Sequence, residues 1–294
     1  MKALGQQNKM QKTIRNLIIF TIVAVGGGFV GVAVNALNPP QDPMQGLGTL
    51  IWLVSPLAVS LLLRALAGDG WKDFGIAFQL KASWRWYLAT PIMILLVSLI
   101  PLGLGMLVGT LSIAPLTAQM WNSLLVMFGT GLVGSMVKNI FEEFAWRGYL
   151  TPRFAALKLH PILNALFTGL IWASWHIPYY LYFFSRQELQ KYTPLSIPAF
   201  ILVAFLILPL QAFAYGELRL LSKSVWPAWL LHTLANAATL ALISSGFVTI
   251  QRDMFGVLFS PGTDGLLHSL LMGLIGFGLW QLRRRQNSRE AAIA

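Results

Sequence analysis

The sequence predicts an all-α protein that crosses a membrane about eight times. Three observations carry that prediction. Apolar residues make up 56% of the 294 residues and charged residues only 11%, a balance that soluble domains of this length do not show. Eight apolar runs reach the roughly 20 residues needed to span about 30 Å of hydrocarbon at 1.5 Å per residue. Basic residues, finally, sort to alternate connections, as the positive-inside rule requires.

The first run, 15–37, follows Lys2, Lys9, Lys12 and Arg15. It is longer than the apolar region of a signal peptide and lacks a small-x-small cleavage site, so it is read as a retained helix. The others are 48–67, 86–109, 121–142, 162–184, 197–216, 225–245 and 266–282. With the N-terminus inside, the C-terminus returns to the same side. Of the 21 Lys and Arg residues, only Arg186, Lys191 and Arg252 then fall outside. This bias accounts for the net charge of +11. The expected partners of the basic face are anionic lipids, and no nucleic acid is required. Arg283, Arg284 and Arg285 read as a topology anchor.

The chain has no cysteine, which excludes disulfides, thiol catalysis and thiolate metal ligands. Gly26, Gly27 and Gly28 in the first span, and Gly273, Gly276 and Gly278 in the last, suit close helix packing. No soluble domain or internal repeat is evident, so residues 1–294 are read as one integral membrane domain. The connections 68–85, 185–196 and 246–265 read as interfacial loops.

Ten acids serve the whole chain, and two of them, Glu142 and Glu143, adjoin at the end of the fourth span. A charged group at a helix centre in the membrane costs about 2.5–3.5 kcal/mol, which argues for a role. Successive helical residues point 100° apart, so the two cannot face one point. Arg147 lies four residues beyond Glu143 and is expected to pair with it. Glu142 is left on another face, one turn after Lys138. A snorkelling charge cluster is the plain alternative. Against it stand two histidines in other spans, in Trp172-Ala-Ser-Trp-His176 and in His232-Thr-Leu-Ala-Asn236. His232 and Asn236 share a helix face.

Glu142 and His176 are each seventeen residues from position 159, so a hairpin turning near Leu159-His160-Pro161 would bring them level. Gly148 and Pro152 are expected to bend or break the fourth helix beyond the glutamates. His176 sits late in its run, just before Pro178, which pulls it toward the outer side. His160 and His268 read as interfacial, and Glu217 with Arg219 as a solvated helix end.

A Glu-Glu-x-x-x-Arg helix, an aromatic-x-x-x-His helix and a His-x-x-x-Asn helix, in that order among eight apolar spans, resemble the CPBP family of CAAX prenyl proteases and bacteriocin-processing enzymes, also called Abi. The resemblance covers about 120–245 and departs in having Trp172 where the family more often has Phe. It implies an intramembrane endopeptidase with its site on the fourth, fifth and seventh spans, open to the cytosolic side. Glu142 and His176 would activate a water, His232 and Asn236 would stabilise the oxyanion, and Glu143, Arg147 and Trp172 would support them. The implied substrate is a membrane-associated or lipidated protein or peptide.

The family has also been described as metalloproteases. Glu142, His176 and His232 are residue types that catalytic zinc accepts. They lack the His-Glu-x-x-His spacing of a strong metal motif, so no cofactor is expected, with zinc as the alternative. Two non-protease readings stand beside this one. One is a membrane peptide-binding or immunity protein using the same polar cavity. The other is a proton-coupled transporter, against which the lack of matched broken helices counts. A bacterial cytoplasmic membrane with both termini inside is the expected location.

Overall fold

The structure is a computed structural model describing residues 2–293, and it is an all-α polytopic membrane protein. The helices are α1 (Lys2–Leu37), α2 (Leu47–Leu66), α3 (Leu80–Val108), α4 (Ala118–Ala145), α5 (Thr151–Ala156), α6 (Pro161–Pro178), α7 (Arg186–Tyr192), α8 (Ile197–Ser222), α9 (Trp226–Thr239), α10 (Met254–Phe259) and α11 (Leu266–Ile293). Six of these, α1, α2, α3, α4 continued to Ala156, α8 and α11, are long and apolar enough to cross a membrane. The two expected spans outside that set are α6 and α9, which carry His176 and His232.

Their shortfall has a physical reason. Every described residue of α9 is at least partly buried, so it needs no apolar face toward lipid. Helix α6 offers lipid only a strip near its start, including Ile162, Leu163, Leu166 and Phe167. Elsewhere large apolar side chains such as Ile22, Leu95, Leu125, Val133, Leu202 and Leu274 are exposed, as a bundle solvated by lipid requires.

The connections divide between two ends of the bundle. At one end Lys12 donates to the Gly68 carbonyl at 3.0 Å, Val225 N–H to Gly75 O at 2.9 Å, and Trp226 Nε1 to Ile76 O at 2.6 Å. Asp69 and Asp73 there gather Arg64, Tyr149 and Arg153. This end holds most of the basic residues, Arg283–Arg285 among them. At the opposite end a short antiparallel ribbon pairs β1 (Leu111–Ile113) with β2 (Val248–Ile250), Ser112 facing Thr249. Strand β2 lies inside the stretch 246–265, which reads as a plain loop in the sequence.

Close packing of α1 on α2 depends on Gly31 and Gly48. A Cβ on either would strike the other's backbone carbonyl. Gly27, Gly28, Gly273 and Gly276 likewise pack tightly, whereas Gly26 and Gly278 face open space, correcting the expectation that all six would pack.

Three other expectations are corrected. Gly148 and Pro152 do not break the fourth helix. A wide π-type turn at Trp146–Leu150 carries it into α5, where Pro152 occupies a first-turn position that needs no N–H donor. Glu217 and Arg219 are not solvated. Arg283 grips Glu217 with two bonds of 2.6 and 2.8 Å, and Arg219 donates to Asp73 O at 2.7 Å. His268 is not interfacial but 1% exposed, its Nδ1 bonded to Pro261 O. His160, in contrast, is exposed at the start of α6 and caps Ile162 N–H.

Candidate active site

The fourth helix delivers its two glutamates to different partners, as their 100° separation demands. Glu143 is fully buried and turns its Oε1 to two donors, Arg147 Nη1 at 2.7 Å and His232 Nδ1 at 2.8 Å. The Arg147 pairing is the one its four-residue spacing requires. Its guanidinium lies between two rings, 4.5 Å from the centre of Trp172 and 4.6 Å from that of Tyr215. This arrangement replaces water with aromatic faces around a buried cation. Arg147 Nη2 and Glu143 Oε2 have no hydrogen-bond partner among the described residues.

Glu142 is 1% exposed and its two oxygens are divided. Oε1 is held by the ammonium of Lys138, one turn earlier. Oε2 accepts the indole N–H of Trp172 from α6 at 2.8 Å. Trp172 is therefore a hydrogen-bond donor to the candidate base and not merely a larger aromatic. A Phe here could not do this.

His176 follows Trp172 by one turn. Its Nδ1 lies 2.9 Å from the Trp172 carbonyl; because a carbonyl only accepts, Nδ1 carries a proton, and in the neutral ring Nε2 then keeps its lone pair. The ring stacks on Tyr180 and meets Trp175 edge-on. Trp175 is in turn bound to Trp52 of α2 by reciprocal N–H to carbonyl bonds of 2.8 and 3.1 Å. Asn236, one turn after His232, donates to Asn139 of α4 at 3.4 Å, and Asn139 donates to Thr233. Neither Asn139 nor Trp52 was marked in the sequence, because each acts through a partner distant in the chain.

Lys138, Trp172, His176, His232 and Asn236 line a cavity of about 340 Å³. Glu142 lies just behind Lys138 and Trp172. Aromatic and aliphatic walls, among them Tyr180, Phe200, Ile207 and Leu208, lead away from the polar cluster toward Met44, Thr263 and Asp264. Those last three belong to connections at the end bearing the β1–β2 ribbon. The connections at the basic end, 67–79, 146–160 and 223–225, contribute no residue to the cavity wall, and Phe74, Phe144, Trp146 and Tyr149 on that side are buried.

Among the described residues no group of three His, Asp or Glu side chains is arranged to hold a metal ion. Glu142 gives one oxygen to Lys138 and the other to Trp172, and His232 points Nδ1 at Glu143.

Residues 119–238 match the family model described as type II CAAX prenyl endopeptidase Rce1-like. This core matches the CPBP/CAAX protease family. The matched segment runs from the start of α4 to the end of α9 and contains all three motifs, in agreement with the resemblance drawn from their residues. No curated protein matches the chain. The Rce1-like match points to an integral membrane protease acting on a membrane-associated peptide or protein.

Proposed function

We propose that the chain is an intramembrane endopeptidase that hydrolyses a peptide bond of a membrane-associated or lipidated protein or peptide with a water activated by Glu142 and His176. The observation that carries this reading is the convergence of α4, α6 and α9 on one cavity wall, with each candidate side chain held by a defined partner. A carboxylate offers about four lone-pair sites. Lys138 and Trp172 use two, leaving room for a water at Glu142. The same water can donate to His176 Nε2.

In the proposed reaction the water oxygen bonds to the scissile carbonyl carbon as its proton passes to Glu142. The carbonyl oxygen becomes an oxyanion facing His232 and Asn236. Asn236 has a second amide proton beyond the one given to Asn139. His232, with Nδ1 on Glu143, donates from Nε2 when it is protonated there. One such donor contributes about 2.7–4 kcal/mol. The proton on Glu142 then moves to the leaving nitrogen, the C–N bond breaks, and an amine and a carboxylic acid result, the acid's remaining proton passing to the amine to leave a carboxylate and an ammonium. Glu143 and Arg147 fix His232 and do not touch substrate. No metal takes part in this scheme.

A second reading, a non-enzymatic membrane peptide-binding or immunity protein, draws on one observation: Lys138 and Trp172 cover the candidate base. The two readings separate in cells carrying the parent chain or Glu142→Gln at equal levels, with protein termini compared across the proteome. Termini present with the parent and absent with the variant support the endopeptidase. Identical termini, with retained binding of a peptide, favour the second reading.

A further inference from the structure

We propose that this active-site cavity opens on the extracytoplasmic side of the membrane, so that its substrates are segments of exported polypeptides. Two independent observations meet here. The first is where the cavity ends. Its mouth is formed by Met44 between α1 and α2, by Tyr179 and Phe184 after α6, and by Thr263 and Asp264 before α11. These are all connections at one end of the bundle. The connections at the other end, 67–79, 146–160 and 223–225, contribute nothing to the cavity wall. Phe74, Trp146 and Tyr149 of these connections, and Phe144 at the end of α4, are themselves buried.

The second observation is charge. The closed end carries Lys12, Lys72, Arg153, Lys158, Lys223 and the Arg283–Arg285 run, among others. The connections at the open end carry only Arg186, Lys191 and Arg252, set against Asp42, Glu188, Asp253 and Asp264. Basic residues close to span ends are retained on the cytoplasmic side, and acids contribute little to that choice. The closed end therefore faces the cytoplasm, and the mouth faces away from it. The late position of His176, in the last turn of α6, is the local expression of the same arrangement.

A substrate chain approaching from outside would pass Met44 and Thr263 and lie along Tyr180, Phe200, Ile207 and Leu208 before its scissile bond reached His176 and His232. Those walls suit an apolar segment entering from the outer leaflet, such as the anchoring portion of a translocated protein. The substrate assignment rests on the endopeptidase reading; the orientation does not.

The absence of native cysteine makes the orientation directly measurable. Met44→Cys and Arg252→Cys report the mouth end, and Lys72→Cys and Ser288→Cys the basic end; all four positions are exposed. In intact bacterial cells a membrane-impermeant maleimide is expected to label the first pair only, and all four after permeabilisation. Labelling of Lys72→Cys and Ser288→Cys in intact cells, with the other pair protected until permeabilisation, overturns the inference. The termini lost in Glu142→Gln cells supply the second arm. They are expected in proteins bearing export signals, on the translocated side of their membrane segment. Termini confined to cytosolic segments overturn the substrate assignment. The expected labelling with no Glu142-dependent termini leaves the orientation standing and removes the endopeptidase reading.

Discussion

Trp172 and Glu142 are joined across two helices by a 2.8 Å hydrogen bond from indole Nε1 to carboxylate Oε2. Thirty residues separate them in the chain, and the bond ties the candidate base to the helix that carries His176. A neutral donor on a charged acceptor contributes about 1.5–3 kcal/mol. Trp172→Phe keeps the ring beside Arg147 and removes only the donor. It is expected to lower the rate of Glu142-dependent cleavage about tenfold to a hundredfold, less than Glu142→Gln, with folding intact by size-exclusion chromatography. An unchanged rate would show that the bond does not position the base.

Glu143 and Arg147 form a wholly buried ion pair. Removing one partner leaves the other uncompensated, at a cost of about 3–5 kcal/mol. Glu143→Gln is therefore expected to depress the unfolding temperature in detergent strongly. Adding Arg147→Met to it should recover part of the loss, because the stranded cation disappears. The double variant is expected to stay poorly active, since His232 Nδ1 then faces a neutral amide oxygen instead of a carboxylate.

Burial pushes the Asp264 carboxyl from 3.8 up to about 6. The folded protein thus prefers the protonated form. Its contribution is most favourable below pH 4, declines as pH rises between about 4 and 6, and is fully unfavourable above that. Asp264→Asn is expected to raise stability at pH 7.5 by about 1 kcal/mol, reduced because the carboxyl faces the cavity, and to make no difference below pH 4. Unfolding curves at the two pH values check both the sign and the window.

Gly48→Ala places a methyl against the Gly31 carbonyl, a backbone atom that cannot swing aside. A loss of about 1–3 kcal/mol follows from such overpacking. Gly278→Ala, facing open space, serves as the neutral control. Thermal unfolding of both variants compares a tight glycine with a loose one inside the same bundle.

Because the proposed scheme routes no step through a metal, cleavage is expected to survive extraction with strong chelators. Activity lost on chelation and restored by zinc alone would return Glu142, His176 and His232 to the role of ligands.

What the sequence disclosed was mostly local. The Glu143–Arg147 pair and the common face of His232 and Asn236 follow from helical spacing, and the spans from runs of apolar residues. The hairpin count from position 159 also brought Glu142 beside the helix of His176. Bonds between distant segments were hidden. Nothing in the chain near Glu217 names Arg283, and nothing near Trp52 names Trp175, because such pairings are chosen by packing rather than by period. Gly148 and Pro152 misled for a related reason: a wide turn absorbs both without ending the helix. The direction of the cavity required knowing which connections meet at its mouth.

The enclosure of α9 bears on how the protein is made. A helix with no fully exposed residue and with His232 and Asn236 within its fourteen residues draws little retention from the bilayer. Its neighbours hold it, above all α4 through Glu143 and Asn139. The His232–Asn236 side of the cavity is therefore assembled only after the surrounding helices have gathered. A partly inserted chain carries Glu142 and His176 without their counterpart, so the proposed hydrolysis would begin only once the bundle is whole.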